Sequence, residues 1–346
     1  MNLEYKTMLA TTFLHKTLRK SLSNMHQKRF NVLLEATTAL LGETKLTLTN
    51  IGRHIKGTAK VKNKIKKVDR LLKNKKLYKE RNYIYQQLNN LLLKSANEVV
   101  IAVNWSGCCS NERFIIQASM LIRQGRSIPV YKEIHSVDEY VKPDFESKFL
   151  DNLKALLPES ISVTIVTDAG FKTPWFKKIT MLGWDFVGRI RNKIYYRKEQ
   201  EEWQLIKNLY STATNKPKYI GKVDIGKTVG DGRLNCHMLS YKSPNKYRRT
   251  KKIGRSNTAK KCAAANREPW ILITSITAEN KYKLSSITKN IYTRRMEIEQ
   301  NFRDDKSKRF GYGLRYSRTK NIQRLEIMLL ISHIAIIILW LIGFAG

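Results

Sequence analysis

The spacing of apolar residues divides the chain into a helical beginning and an alternating middle part. Over the first hundred residues, apolar positions recur at helical spacing, with few strand signals and no glycine-rich turns. Thr49 and Asn50 are typical caps for a short helix through His54, and a second helical run covers residues 59–77. The sequence therefore predicts an all-helical N-terminal domain over residues 1–96.

From residue 97 the pattern changes to strands separated by turns, with two helices between them. The predicted strands cover residues 99–105, 114–122, 127–134, 162–166, 185–189 and 269–276, and the predicted helices cover residues 147–157 and 174–182. Three strands, a helix and a fourth strand ending at Asp168 predict an α/β layer with carboxylates at strand ends. Residues 191–268 are typical of short strands with polar turns, so we predict a β-rich insertion between core segments 97–190 and 269–346.

An almost purely apolar segment covers residues 327–344, with only Ser332 and His333 interrupting it. Its length is about that of a bilayer-spanning helix. The alternative is a buried helix lying on a sheet, which we favour because the flanking chain has the pattern of a folded enzyme. The N-terminus has charges from Glu4 onward and no uninterrupted apolar stretch, so we expect a cytoplasmic protein without a secretory signal.

The chain is strongly basic, with 65 Lys and Arg against 28 Asp and Glu and a formal net charge of +37. Such a charge indicates a polyanionic partner, and nucleic acid is the leading one. The alternative is a codon bias towards lysine and asparagine. The helical run at residues 59–77 pairs an apolar side with one acid, Asp69, and these cations: Lys60, Lys62, Lys64, Lys66, Lys67, Arg70, Lys73, Lys75 and Lys76. This pattern predicts a DNA-docking helix, with a merely solvated basic face as the alternative.

Two further groups of residues bear on the chemistry. A second basic cluster closes the predicted insertion: Lys246, Arg248, Arg249, Lys251, Lys252, Arg255, Lys260 and Lys261. The four cysteines are Cys108, Cys109, Cys236 and Cys262, and neither they nor the six histidines show the paired spacing of a zinc site. The cysteines therefore fit a reducing compartment better than a disulfide framework.

The segment 284–306 predicts one long helix that carries the chemistry. At about 100° per residue, Tyr292, Arg295, Glu299 and Lys306 fall on a narrow strip. That strip adjoins a predicted core stripe made by Ile287, Ile291, Ile298 and Phe302. A carboxylate held between two cations beside the core could bind a metal ion, with the cations gripping phosphates. The alternative is a surface ion-pair ladder, because Arg295 and Glu299 are four residues apart.

These residues match the signature Y-x2-R-x3-E-x6-K, and the chain resembles the DDE transposases of the insertion-sequence group that includes the transposon-ten transposase. The resemblance covers most of the chain. Its most specific flanking motifs are Thr167-Asp168-Ala169-Gly170-Phe171, Gly183-Trp184-Asp185-Phe186-Val187-Gly188-Arg189, Arg267-Glu268-Pro269-Trp270 and Gly313-Leu314-Arg315-Tyr316-Ser317-Arg318-Thr319.

The resemblance implies an RNase H-like core interrupted by a β insertion, with Asp168 and Glu299 as the second and third catalytic carboxylates. In the family these carboxylates hold two divalent ions, and hard oxygen ligands suit Mg²⁺ or Mn²⁺. By the same resemblance, Arg295 and Lys306 contact end DNA and Tyr292 helps to place a phosphate. Trp270 is a weaker candidate for stacking on a displaced base, with core packing as the alternative.

The position of the first catalytic carboxylate is the main departure from the family. The matching residues are Ile101-Ala102-Val103-Asn104-Trp105-Ser106, where family members have Asp before Trp. An amide brings no negative charge and cannot bridge two ions, so we expect a rate loss of roughly several powers of ten. The nearby acids Asp138, Glu139 and Asp144 are not expected at that strand end.

Three functions remain in view at this point. The first is a cut-and-paste transposase that binds double-stranded DNA, both its terminal inverted repeats and a target. This function is compatible with a homodimer on DNA, and we expect it in the bacterial cytoplasm, on the nucleoid. Family members generally continue beyond the apolar helix into a region used in protein contacts, so we expect dimer formation to be weakened in a chain ending at Gly346. The second is a catalytically inactive DNA-binding remnant of a transposase. The third is a basic nucleic-acid binder anchored in a membrane, although no membrane association is expected.

Overall fold

The computed structural model describes residues 3–42, 45–108, 112–122, 126–226, 233–244, 256–257, 268–307, 309 and 311–344. The chain forms two compact units. Unit 1 comprises residues 1–162 and 296–346, and unit 2 comprises residues 163–295. The architecture is mixed α/β, and the four-domain division predicted from the sequence remains a prediction.

Unit 1 begins with helices in the region where the apolar spacing predicts them. They are α1 (Leu3–Ser21), α2 (Gln27–Leu41), α3 (Leu48–His54), α4 (Val61–Leu72) and α5 (Lys75–Leu92). Each presents an apolar side to the interior, as at the fully buried Leu14, Phe30 and Leu88. Burial of this kind stabilises short helices that are marginal in isolation.

Two boundaries in this region differ from the predictions. Thr47 caps α3, since its hydroxyl accepts a hydrogen bond from the Asn50 backbone N–H over 3.3 Å, so the assignment of the cap to Thr49 and Asn50 was wrong. The run predicted over residues 59–77 is two helices, because Asn74 begins a new one by accepting from the Leu77 N–H over 2.9 Å. An asparagine side chain can satisfy such an otherwise unpaired N–H, and this favours a new helix start.

Three antiparallel strands follow, in the order β3-β2-β1. They are β1 (Glu98–Gly107), β2 (Arg113–Met120) and β3 (Ile128–Ser136), and they confirm the first three predicted strands within one or two residues at each end. β2 and β3 are buried along almost their whole length, which explains why apolar and polar residues do not alternate clearly in them. The helix α6 (Pro143–Ala155) begins four residues before its predicted start, with Pro143 in its first turn.

The apolar C-terminal segment forms α10 (Ile322–Phe344) in unit 1. It packs against β3 and against α1, α2, α4 and α5, and 78% of its most apolar window is buried. This agrees with the buried-helix interpretation. Among the described residues, α10 is the one helix long and apolar enough to cross a membrane, which is weak support for a span when the helix is mostly buried.

Unit 2 is built on β4 (Ser162–Thr167), α7 (Thr173–Met181), β5 (Asp185–Ile190) and β10 (Trp270–Thr274). β4 pairs with β5 in parallel, and β10 pairs with β5 in the antiparallel sense. Gly188 of β5 allows α7 to approach closely, because a Cβ atom there would lie 2.4 Å from the Phe176 ring. These elements confirm the predicted strand and helix order of this segment.

The segment predicted as a β-rich insertion contributes β6 (Tyr195–Lys198), β7 (Gln204–Leu205), β8 (Lys218–Ile225) and β9 (Leu234–Tyr241). These strands continue the sheet of unit 2, whose order is β4-β5-β10-β9-β8-β6-β7. The second basic cluster, from Lys246 to Lys261, lies outside the described residues, as do Cys109, Cys262 and Arg267.

The single long helix predicted over residues 284–306 is wrong. The structure has α8 (Lys281–Arg294) in unit 2 and α9 (Glu297–Lys306) in unit 1, with a break at Arg295 and Met296. The predicted core stripe is therefore only partly buried: Ile298 and Phe302 are buried, whereas Ile287 and Ile291 are half-buried. The signature residues are consequently divided between two elements.

Candidate active site

Asn104 lies on β1 and faces α9 within unit 1. Its amide Nδ2 donates a hydrogen bond to Oε1 of Glu299 over 2.8 Å, and its Oδ1 accepts from the Trp105 backbone N–H over 2.9 Å. Asn104 is buried, at 7% exposure. The strand predicted to end at Trp105 continues to Gly107, so Asn104 lies within β1 and not at its end. Both polar ends of the amide are thereby engaged.

Glu299 stands in the first turn of α9, together with Glu297. Backbone N–H groups at a helix N-terminus carry partial positive charge, so an anion is favoured in this turn. The Glu299 side chain is exposed, while Ile298 beside it is fully buried and anchors the turn. The fold thus presents the carboxylate to solvent on one side and to Asn104 on the other.

Lys306 ends α9 and turns back to β1. Its ammonium donates to the Ser106 hydroxyl and, over 2.9 Å, to the Gly107 carbonyl. Burial lowers the pKa of Lys306, and the positive charge of Arg315 lowers it further. Ser106 and Asn104 share a face of β1 because side chains two residues apart point the same way. Glu299 and Lys306 therefore both meet the same face of one strand.

A cavity of about 430 Å³ opens beside these side chains. Its lining residues are Ser106, Glu299, Phe302, Arg303, Lys306, Ser307 and Arg315. Three cations against one carboxylate make it a site for an anion such as a phosphate group. The sequence reasoning missed Ser106, Arg303 and Arg315 as members of this site. Arg315 lies in one of the flanking motifs, and that motif is the signal that could have identified it.

Asp168 directly follows β4 in unit 2, as predicted. Its Oδ1 accepts a hydrogen bond from the Gly170 backbone N–H over 2.8 Å. A Cβ atom at Gly170 would lie 2.9 Å from that same oxygen, so a side chain there would displace the carboxylate. The glycine therefore fixes the place of Asp168 at the strand end.

Tyr292 and Arg295 also belong to unit 2. The Arg295 guanidinium lies 5.7 Å from the centre of the Tyr292 ring, and both residues are buried. Burial raises the pKa of the Tyr292 hydroxyl; the charges of Arg295 and Arg189 oppose this rise, whereas the charge of Asp168 adds to it. Unit 2 thus brings Asp168, Arg189, Tyr292 and Arg295 within electrostatic reach of one another. Arg189 was not predicted as a site residue.

Trp270 begins β10 and is half-buried between two aromatic rings. Its ring centre lies 4.9 Å from that of Tyr292 and 5.4 Å from that of Tyr241. The contact with Tyr292 is edge-to-face and the contact with Tyr241 is tilted, and aromatic contacts of these kinds stabilise the packing. The core-packing alternative for Trp270 therefore has a direct structural basis, and base stacking remains a prediction.

The three acids near position 104 do not replace a carboxylate there. Glu139 accepts from the Ser136 N–H over 2.9 Å and contacts His135 over 3.2 Å. Asp138 and Asp144 are exposed, on the turn after β3 and in the first turn of α6. The carboxylate that meets Asn104 is that of Glu299.

The donors at this position fit fewer than the two metal ions that the resemblance implies. The described part of the chain contains no group of three or more His, Cys, Asp or Glu side chains that could hold a metal ion. The Asn104 amide directs an N–H at Glu299, where a second carboxylate would instead offer charge to a cation. Oxygen ligands of the type that Mg²⁺ prefers remain at Glu299 in unit 1 and Asp168 in unit 2.

Comparison with known proteins identifies one domain. The transposase DDE domain matches residues 143–338, more than half of the 346-residue chain. The match includes Asp168, Trp270, Tyr292, Arg295, Glu299 and Lys306, and position 104 lies outside it. No curated protein matches the chain.

Proposed function

Because the chain belongs to the transposases with a DDE domain, which are enzymes of DNA cleavage and transfer that act with divalent metal ions, we propose that it is built for cut-and-paste transposition. Its substrates would be the terminal inverted repeats of a transposon and a target duplex. The RNase H-like core and its relation to the transposon-ten group belong to the same proposal.

The observation that carries this proposal is the placement of Glu299 against position 104. A strand and a helix from distant parts of the chain meet there, and a cationic cavity adjoins the carboxylate. A carboxylate beside a cationic cavity that is large enough to admit a phosphate group suits chemistry on a phosphodiester. A purely structural helix contact would not require Arg303, Lys306 and Arg315 around one acid.

We assign the following roles to the side chains. Asp168 and Glu299 would be the carboxylate ligands of Mg²⁺ or Mn²⁺, and the metal would stabilise charge on the reacting phosphodiester. Lys306 would grip a phosphate in the unit 1 cavity. Arg295 would contact end DNA in unit 2, and Tyr292 would orient that guanidinium through the ring contact.

We further propose that Asn104 impairs catalysis. The Asn104 amide already donates a hydrogen bond to Glu299, so a metal ion should bind here more weakly than it would between two carboxylates. The alternative function is a catalytically inactive remnant that still binds DNA. The asparagine at position 104 favours this alternative, because it takes the place of one charged metal ligand while the cationic cavity beside Glu299 is retained.

The N-terminal helices would supply a DNA-docking surface. On α4, Lys62, Lys66 and Arg70 are all exposed and stand four residues apart, which makes a basic stripe along one side. The opposite side is buried through Val68 and Leu71. A helix with one basic, exposed side and one buried, apolar side can lie against DNA with its cations towards the phosphates.

The biological setting follows from the proposed substrate. The protein would act in the bacterial cytoplasm, on the nucleoid, and could form a homodimer on paired transposon ends. The insertion-sequence origin belongs to this proposal too.

Strand cleavage tests the proposed function. A labelled transposon-end duplex would be incubated in Mg²⁺ and in Mn²⁺ with the natural protein, with Asn104→Asp, and with Asn104→Asp combined with Glu299→Ala. We expect cleavage with Asn104→Asp alone, and none once Glu299→Ala is added. Equal cleavage by the natural protein and Asn104→Asp would show that position 104 is not the missing ligand. Absence of DNA binding by all three would contradict the proposed function itself.

A further inference from the structure

A second cationic cavity lies in unit 1, apart from the one beside Glu299. It measures about 760 Å³ and is lined by Lys45, Thr47, Leu48, Thr49, Asn50, Tyr316, Ser317, Arg318, Thr319, Arg324 and Met328. Three of these residues are cations and four carry aliphatic hydroxyl groups. No acid occurs among these lining residues within the described part of the chain. The chemistry of the lining therefore selects for an anion with several hydrogen-bond acceptors.

The walls of this cavity are held in place by ordinary contacts. The Leu46 N–H donates to the Tyr312 carbonyl over 2.6 Å, which joins the start of α3 to the segment 311–319. Gly313 has φ of +62°, in the left-handed region, and turns the chain into the short helix Leu314–Tyr316, anchored by the fully buried Leu314. Arg318 is exposed at the end of this arrangement. The site is a preformed surface with one projecting guanidinium.

The same segment also borders the cavity at Glu299. Arg315 lines that cavity, and Tyr316 to Thr319 line the second one. Arg315 and Arg318 are three positions apart in the chain, which limits their Cα separation to about 10 Å. The two cavities therefore lie close enough for neighbouring phosphates of one DNA strand to reach both without a sharp bend in the strand.

We propose that this second cavity binds the backbone of the same DNA whose phosphodiester lies at Glu299, with Arg318 as its principal phosphate contact. The inference rests on the proposed DNA substrate and adds a binding site to it. Thr49 and Thr319 supply hydroxyl groups that can donate to phosphate oxygens. Readout of base sequence is not required, because the contacts are to the backbone.

One further contact connects this cavity to α4. The Arg324 guanidinium in the cavity wall donates to Asp69 of α4 over 2.8 Å. Asp69 also pairs with Lys73 over 2.9 Å. The acid of α4 is thereby occupied by two cations, so that Lys62, Lys66 and Arg70 can contribute their charge to the same DNA molecule.

The salt dependence of DNA binding tests this inference. The affinity of the full chain for a duplex would be measured over a range of salt concentrations for the natural protein, Arg318→Ala, Arg318→Lys and Lys94→Ala. Lys94 is an exposed lysine two residues beyond the end of α5, outside the cavity, and serves as the control for loss of one positive charge. Each phosphate contact adds about 0.9 to the slope of log affinity against log salt for duplex DNA. We expect the magnitude of the slope to fall by about one for Arg318→Ala and to be unchanged for Arg318→Lys and Lys94→Ala.

Several results would overturn the inference in distinguishable ways. An unchanged slope for Arg318→Ala, with normal DNA binding by the natural protein, removes this site and leaves the proposed function standing. An equal fall for Lys94→Ala shows that the effect is not local and also overturns it. If inorganic phosphate stabilises the natural protein against heat but not Arg318→Ala, and the DNA slope does not change, the cavity binds free phosphate. No salt-dependent DNA binding by the natural protein would remove both the site and the proposed function.

Discussion

Asn104 and Glu299, 195 residues apart in the chain, are joined by a hydrogen bond of 2.8 Å from amide to carboxylate. The amide is a neutral donor, so the acid is satisfied without a metal ion. Two carboxylates at the same separation would repel each other, and the pKa of one of them would rise unless a cation lay between them. The charge at position 104 therefore decides whether its side chain attracts or repels the Glu299 carboxylate in the metal-free protein.

Asn104→Asp should destabilise the metal-free protein. The substitution replaces a hydrogen bond with a like-charge contact, and we expect a loss of roughly 1 to 2 kcal/mol at neutral pH, because the exposed Glu299 is partly screened by water. Thermal unfolding in a chelating buffer measures the loss. Adding Glu299→Gln restores a neutral donor and should recover most of it. Equal stability of Asn104→Asp and the natural protein would show that the pair makes no net contribution.

The buried ion pair between Lys132 and Asp305 should be sensitive to the loss of one partner. The ammonium and carboxylate are 2.5 Å apart, both side chains are fully buried, and Ser332 also donates to Asp305. Asp305→Ala leaves a buried lysine unpaired, so we expect a loss of about 3 to 5 kcal/mol in the free energy of unfolding. The double variant Lys132→Met with Asp305→Leu should be clearly more stable than Asp305→Ala in denaturant unfolding. A double variant as unstable as the single one would mean that packing, and not the stranded charge, is responsible.

His135 should make stability depend on pH. Burial lowers its pKa, but hydrogen bonds and charges from Glu133 and Glu139 outweigh burial and raise the pKa above its ordinary value of 6.5. A group whose pKa rises on folding stabilises the protein fully below pH 6.5, and this contribution is lost as the pH rises through the raised pKa.

We therefore expect the melting temperature to fall as the pH rises above 6.5, and His135→Gln to flatten that fall. His26→Gln is the control, since His26 is exposed. The same pH profile in the His135→Gln variant and the natural protein would assign the dependence to other groups.

Gly52 should tolerate no side chain, because it is the point where α3 crosses α4. A Cβ atom there would lie 2.7 Å from the Cα atom of Ile65, which is backbone and cannot move aside cheaply. We expect Gly52→Ala to cost about 1 to 3 kcal/mol and to weaken DNA binding by displacing the basic stripe of α4. Gly343→Ala is the matched control, since nothing lies within 4 Å of its added Cβ. Chemical denaturation of both variants distinguishes them, and equal stabilities would contradict the close crossing.

The sequence predicted elements best where a local signal agrees with the tertiary structure. β1 to β5 and α10 each contain a run of apolar residues that lies mostly in the interior, so their patterns identified them. The break at Arg295 and Met296 has no such signal, because no glycine or proline interrupts the helix-forming residues around it. The break lies where the chain passes from unit 2 to unit 1, and a local pattern does not contain that information.

The candidate site shows the same division between local and long-range information. The signature, its flanking motifs and the separate segment 101–106 predict Asp168, Glu299 and position 104 as site residues from the sequence alone. They do not indicate that the Asn104 amide donates to Glu299, or that the Lys306 ammonium donates to Ser106, because these contacts join residues 195 and 200 positions apart. Partner strands of β6 to β9 were unpredictable for the same reason, since sheet pairing depends on residues far apart in the chain.

Calorimetry of Mn²⁺ binding tests most directly whether position 104 is a substituted metal ligand. It would compare the natural protein, Asn104→Asp, and Asn104→Asp with Glu299→Gln. We predict weak or no binding by the natural protein, clear binding by Asn104→Asp, and loss of that binding when Glu299→Gln is added. Equal Mn²⁺ affinity in the natural protein and Asn104→Asp would contradict the account, because it would show that the amide at position 104 takes nothing away from the metal site.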